Sequence, residues 1–238
     1  MRVPKPVQNA PIVAIAALFV GMRLIPGASN TGPVLSAARA FAAGAPAPDN
    51  AMAASVVSTN TRRALRAFGT TVRPLSHPKA LETAFRSYFA FEAANPNAVT
   101  KPYLYFVDYG LPSTRPRGYL LDMRALRVVE GPFTVAHGRG SSRSRYGIPT
   151  RFSNTIGSAA TSLGLYVAQE TYAFRGRSGK QTYSSIGLRL RGLSGDFNGN
   201  ARARGVVAHG APYVTANSAG RSEGCPAMEQ DRARRLLP

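Results

Sequence analysis

Cysteine occurs once in the 238 residues, at Cys225, histidine three times, and acidic side chains only eleven times. A lone cysteine rules out an internal disulfide, so the thiol pairs between chains, sits buried and inert, or is kept as a reactive group. His77, His137 and His209 are far apart and form no i, i+4 pair. A zinc peptidase or other metal centre is therefore disfavoured, and no metal or cofactor is expected. The eleven acids are scattered, so paired-carboxylate hydrolysis has little support; Glu170 or Asp196 would need a tertiary partner. Lysine contributes only 4 of the 30 basic residues, the rest being arginine. The apolar stretch from Ala10 to Met22 falls short of the roughly 20 residues that comfortably span a bilayer.

That stretch follows Arg2 and Lys5 and is closed by Arg23, the layout of an export signal. Gly27 and Ala28 offer a small-residue cleavage site, so residues 1–28 are expected to be a signal peptide or an uncleaved N-terminal anchor. The protein is accordingly placed outside the cytoplasm, in the periplasm or cell envelope. From Ala37 to Ala54 ten of eighteen positions are alanine, interrupted by Gly44, Pro46 and Pro48. Residues 29–73 therefore read as a disordered linker, and 74–238 as the folded domain.

The formal charge is +19. Such a chain should adhere to polyanions. From Arg62 to Arg235, however, the arginines are spread without a compact block, and no zinc finger, basic zipper or RRM signature accompanies them. Nucleic acid is disfavoured, and an anionic polymer of the cell envelope accounts for the same charge.

Ordered structure is expected from Ser76, read as an N-cap, followed by Leu81, Ala84, Phe85, Tyr88 and Phe89 at helical spacing up to Asn95-Pro96. Beyond it the period changes to two. Strands are expected over Tyr103–Tyr109, Gly118–Asp122, Leu126–Ala136, Leu163–Thr171, Ile186–Leu193 and Gly205–His209, separated by turn chemistry such as Gly131-Pro132 and Asp196-Phe197-Asn198-Gly199. Six such segments without intervening long helices predict a mainly β domain with one N-terminal amphipathic helix and few short helices.

Two nucleophile motifs compete. Gly220-Arg221-Ser222-Glu223-Gly224 matches the G-x-S-x-G elbow of α/β-hydrolases, but no histidine follows Ser222 and no βαβ pattern surrounds it. The alternative is His209-Gly210 followed, sixteen residues after the histidine, by Cys225. An imidazole that removes the thiol proton would let sulfur attack a carbonyl and leave a thioester. A strand ending at His209, a loop through Tyr213 to Gly220 and a return would bring Cys225 back to it. The amides of Gly224 and Cys225 are candidate oxyanion donors, and Gly224 allows close backbone approach to a substrate.

Eight blocks carry a family resemblance: Val135-Ala136-His137-Gly138, Phe152-Ser153-Asn154 with Gly157-Ser158, Ser162 to Tyr166, Glu170-Thr171-Tyr172, Leu188 to Leu193, Asn198 to Ala201, His209 to Val214, and Gly220 to Pro226. In this order they resemble the murein L,D-transpeptidase catalytic domain, a branch of the YkuD-like L,D-transpeptidases. The resemblance implies a β-sandwich-like fold and attack on the bond before the terminal D-alanine of a peptidoglycan stem peptide. It implies Cys225 as nucleophile and His209 as base, with a backbone carbonyl near Ser222 or Glu223 orienting the histidine. Tyr166, Arg189, Gly210 and Arg221 are expected to contact substrate, whereas His137 reads as structural or substrate-facing rather than catalytic. Glu223 and Ala227 stand where the wider family often carries His and Arg or Asn. That family's domain also continues into a further helix and closing strand, so thirteen residues after Cys225 are expected to leave a sheet edge open. Two other outcomes fit the same residues, a hydrolase of the same bond and an inactive basic wall-binding protein.

Overall fold

The structure, a computed structural model, describes residues 14–18 and 51–238. Expectations for the rest of 1–28 and for 29–50 lie outside the described residues. About half of the segment read as linker, residues 29–50, is thus undescribed, but the other half, 51–73, is not a disordered linker. It forms helix α1 (Ala51–Phe68), which buries Val57, Thr61, Ala64 and Phe68 along one face. The 3.6-residue period was hard to read because a threonine and an alanine occupy two of those four positions, and little apolar bulk marks the stripe.

Helix α2 (Ala80–Ala94) lies within the predicted span and buries Leu81, Ala84, Phe85, Tyr88 and Phe89. Ser76 does not cap it. Its amide and hydroxyl instead donate to the carboxylate of buried Asp108, at 2.7 and 2.5 Å. Helix α3 (Gln230–Leu236) follows the cysteine and packs against the far edge of the sheet. No helix among the described residues is long and apolar enough to cross a membrane.

Strands dominate the fold: β1 (Ala14–Leu18), β2 (Tyr103–Asp108), β3 (Gly118–Asp122), β4 (Arg127–Phe133), β5 (His137–Gly138), β6 (Gly164–Ser178), β7 (Gln181–Gly192), β8 (Val207–Gly210), β9 (Val214–Thr215), β10 (Ser218–Ala219), β11 (Arg221–Ser222) and β12 (Ala227–Met228). Eight of them make one sheet in the order β12-β8-β7-β6-β1-β2-β3-β4. The backbone of β1 lies between β2, to which it is parallel, and β6, to which it is antiparallel. Two small ribbons, β10-β9 and β11-β5, cap the end that carries the cysteine. The fold is mainly β, as the period-two segments predicted.

The β6–β7 hairpin runs well beyond its predicted ends, with Ser178 paired to Gln181 around a two-residue Gly179-Lys180 turn. Gly179 has φ +61°, a conformation glycine adopts without cost. Arg175, Arg177 and the glycines conceal this ribbon in the sequence, because its polar residues face solvent on a two-stranded arm.

Alternation along β2 feeds two cores. Leu104 and Phe106 pack with α1 and α2 on one face. Tyr105 and Val107 pack on the other with Leu120, Phe133, Leu188, Leu190, Ala208 and Met228. The strands bearing histidine and cysteine therefore rest on the second core. The first core anchors the helical layer to the central strands. Phe68 is fully buried, and its ring lies 5.4 Å from that of Phe85. Phe68→Ala is expected to cost about 3–5 kcal/mol in chemical denaturation; a loss below about 1 kcal/mol would show that α1 is not part of the cooperative unit.

Candidate active site

His209 sits on β8 and Cys225 two residues before the first residue of β12, and these two strands run parallel. Ala227 pairs with His209 and Met228 with Gly210, so counting back two residues sets Cys225 beside Val207. The half-buried thiol donates weakly to Gly205 O at 3.9 Å. Burial pushes the thiol above its ordinary range, while the Val207 amide and the Arg204 guanidinium pull it back by a smaller amount.

A tight turn holds the cysteine. The Ser222 hydroxyl donates to Cys225 O at 2.7 Å and accepts from the Gly224 amide at 3.1 Å. Gly224 has φ +122°, and a Cβ there would come within 2.9 Å of Ala160 O. Both the conformation and the space therefore require glycine. The turn bears on two sequence expectations. Because the Gly224 N–H is committed to Ser222, the Cys225 N–H is the remaining candidate oxyanion donor of the pair. The Ser222 hydroxyl braces the loop.

The histidine is oriented from a different place than expected. His209 Nδ1 lies 3.0 Å from the carbonyl oxygen of Gly210, the very next residue. A carbonyl only accepts, so Nδ1 carries the proton and Nε2 is the basic nitrogen. Among the described residues the carbonyl that contacts the imidazole is that of Gly210, not one near Ser222 or Glu223. Burial lowers the His209 pKa to about 4, partly offset by the Gly210 bond. The ring is neutral at pH 7.

Aromatic rings surround the imidazole. Phe174 stacks on it with centroids 4.3 Å apart, Tyr183 lies at 6.5 Å, and Tyr213 meets Tyr183 edge-on. Cross-strand glycines make room for these rings: Gly187 opposes Tyr172 and Gly176 opposes Tyr183. A Cβ at Gly187 would meet the Tyr172 ring at 2.8 Å, and one at Gly176 would meet Tyr183 at 2.5 Å. Arg189, whose register partner is Val207, lies over the Tyr172 ring at 4.1 Å and reaches Glu170 at 3.1 Å. It is a partly exposed cation on the cysteine side of the sheet.

Tyr166 and Arg221 do not line this cleft. Tyr166 is buried, its hydroxyl donating to Ser162 O at 2.8 Å and sharing a 2.7 Å bond with the Ser162 hydroxyl. Together with Tyr109, Val206 and Pro226 it lines a small enclosed space beneath the cysteine loop. Both faces of β6 are covered there. Arg221 donates to Ser142 O at 3.2 Å and Arg143 O at 3.3 Å, tying down a neighbouring loop. His137 is buried against Arg117, with Nδ1 3.0 Å from Nη2, in keeping with a structural role.

Arg204 was not foreseen. One guanidinium nitrogen donates to Ser153 O (2.7 Å) and the Ser162 hydroxyl (3.1 Å), the other to Ala160 O (2.5 Å) and the Ser158 hydroxyl (3.3 Å). It thereby fixes the loop against which Gly224 packs and sets a positive charge near the thiol. Its position after the Asn198–Ala201 block was the only sequence signal, and a single arginine among many gives no period.

Residues 74–238 match the family model of the L,D-transpeptidase catalytic domain. No curated protein and no solved structure matches the chain. With the match covering more than two thirds of the sequence and the His209–Cys225 strand pair lying inside it, the chain belongs to the L,D-transpeptidase catalytic-domain family.

Proposed function

We propose that this protein is a peptidoglycan L,D-transpeptidase in which Cys225 attacks the carbonyl before the terminal D-alanine of a stem tetrapeptide. The observation that carries the reading is the parallel pairing of β12 with β8, which brings the cysteine beside the strand of an oriented histidine. His209 Nε2 removes the thiol proton as sulfur bonds to the carbonyl carbon, and the Cys225 N–H stabilises the oxyanion. As the tetrahedral adduct collapses, the C–N bond breaks, and the proton held by His209 passes to the departing D-alanine amine. An amine of a second stem peptide then attacks the thioester. His209, neutral again, takes a proton from that amine, and as the C–S bond breaks and the new amide forms it returns this proton to sulfur.

Arg189 and the aromatic wall of Tyr172, Phe174, Tyr183 and Tyr213 are suited to a peptide with an anionic end. The proposal includes export to the cell envelope, supported by the leader-like composition of residues 1–28, and attraction to its anionic polymers through the +19 charge. No metal or cofactor takes part. With water as acceptor, the same thioester would make the enzyme an L,D-carboxypeptidase.

Incubated with tetrapeptide muropeptides, the protein is expected to release D-alanine and form crosslinked dimers. Cys225→Ala should lower release by at least about a thousandfold with melting behaviour retained. Tripeptide without dimers would indicate hydrolysis, and retention on sacculi without turnover would indicate the binding protein.

The electrostatics also predict the state of the resting site. With the thiol raised by burial and His209 lowered to about 4, both groups are neutral at pH 7 rather than a thiolate–imidazolium pair. Alkylation of Cys225 by iodoacetamide should be slower at neutral pH than in the urea-unfolded chain and should rise only at higher pH than it does in the unfolded chain. A rate already at its plateau near about pH 6 would contradict this assignment.

A further inference from the structure

On the face of the sheet opposite His209, a second concavity lies behind the catalytic strands. Leu188 pairs with Ala208 and Met228 with Gly210, and both side chains point away from the imidazole into a cavity of about 230 Å³. Tyr105, Leu120 and Phe133 complete its walls, and the end of α3 borders it. The walls are largely apolar, with Tyr103 and Tyr105 as the hydroxyl-bearing exceptions. Tyr105 is 3% exposed, and its hydroxyl is buried without a hydrogen-bond partner among the described residues. Buried polar groups are nearly always satisfied, so this hydroxyl is a donor awaiting an acceptor.

Two cations border the opening. Lys101 Nζ reaches only a main-chain oxygen, of Pro238, at 3.3 Å, and Arg235 is shared with Glu130 at 3.0 and 3.2 Å. Lys101 precedes β2 across a turn, the Tyr103 amide donating to Lys101 O at 2.8 Å, and Tyr105 is the third residue of the strand.

We propose that this cavity is a second ligand site, distinct from the thiol cleft, for a single-chain anionic amphiphile. The carboxylate lies between Lys101 and Arg235, the apolar chain lies along Leu120, Phe133, Leu188 and Met228, and an oxygen near the far end of the chain accepts from Tyr105. This fits the three chemical features of the cavity, which are charge at the mouth, apolar walls and one interior donor. The site does not depend on the reaction assigned to Cys225.

The test titrates the full chain with decanoate, 9-oxodecanoate and decanol below their aggregation limits, reading heat of binding and melting temperature. Saturable binding of both acids is expected, with 9-oxodecanoate about tenfold tighter than decanoate and decanol at least about tenfold weaker. In Tyr105→Phe the advantage of the oxo compound should vanish while decanoate binding is retained. Val129 lines the opening and is 37% exposed, so Val129→Trp should fold normally and block both acids. Absence of saturable binding, equal affinity for decanol, unchanged binding in Val129→Trp, or an oxo preference that survives Tyr105→Phe would each overturn the proposal.

Discussion

The parallel register between β8 and β12 is the constraint on which the site depends. Only two residue pairs define it, Ala227 with His209 and Met228 with Gly210, yet a one-residue slip would turn the side chains of β12 to the opposite face. Short pairings of this kind are weak alone, so the surroundings reinforce them. The Ala136 amide donates to Ala227 O, and the Ala211 amide to Met228 O. The β5–β11 ribbon holds the preceding segment, and Arg204 fixes the loop beneath Gly224. Met228 and Ala233 then bury their side chains in the core under β7 and β8. Position at the thiol is thus set by neighbours on every side.

The same packing sets the chemistry. Burial raises the thiol and lowers the imidazole, favouring the neutral form of each. Arg204 and the Val207 amide oppose this at sulfur without reversing it. The proton on Nδ1, fixed by the adjacent Gly210 carbonyl, leaves Nε2 as the only nitrogen able to accept. A backbone carbonyl is sufficient here because orientation and tautomer, rather than full charge, are what the base requires.

Much of this was legible in the chain itself. Alternation marked β2, β3, β4 and β8, and the aromatic period marked α2, because each buries bulky side chains on a regular repeat. Helix α1 escaped notice since Thr61 and Ala64 carry half of its buried face. The His209–Cys225 pairing could be anticipated from the motif, but the partners of both residues could not. Gly210 orients the histidine through a main-chain atom that any residue would supply, and Ser222 braces the turn through a bond to a carbonyl three residues away. Tyr166 and Arg221 looked like substrate contacts because polar groups in a motif resemble ligands until burial and hydrogen bonds are known. Arg204 gathers partners from residues 153–162, a convergence created only by the fold.

The central claim is that Cys225 becomes acylated by a stem peptide with loss of D-alanine. Intact-mass spectrometry of the protein, quenched in acid during turnover of a tetrapeptide stem, measures this directly. The account predicts an adduct equal to the stem peptide less D-alanine, mapped to Cys225, labile to hydroxylamine and absent from Cys225→Ser at the same time point. D-alanine release with no adduct on Cys225, or with the adduct on another residue, would contradict it.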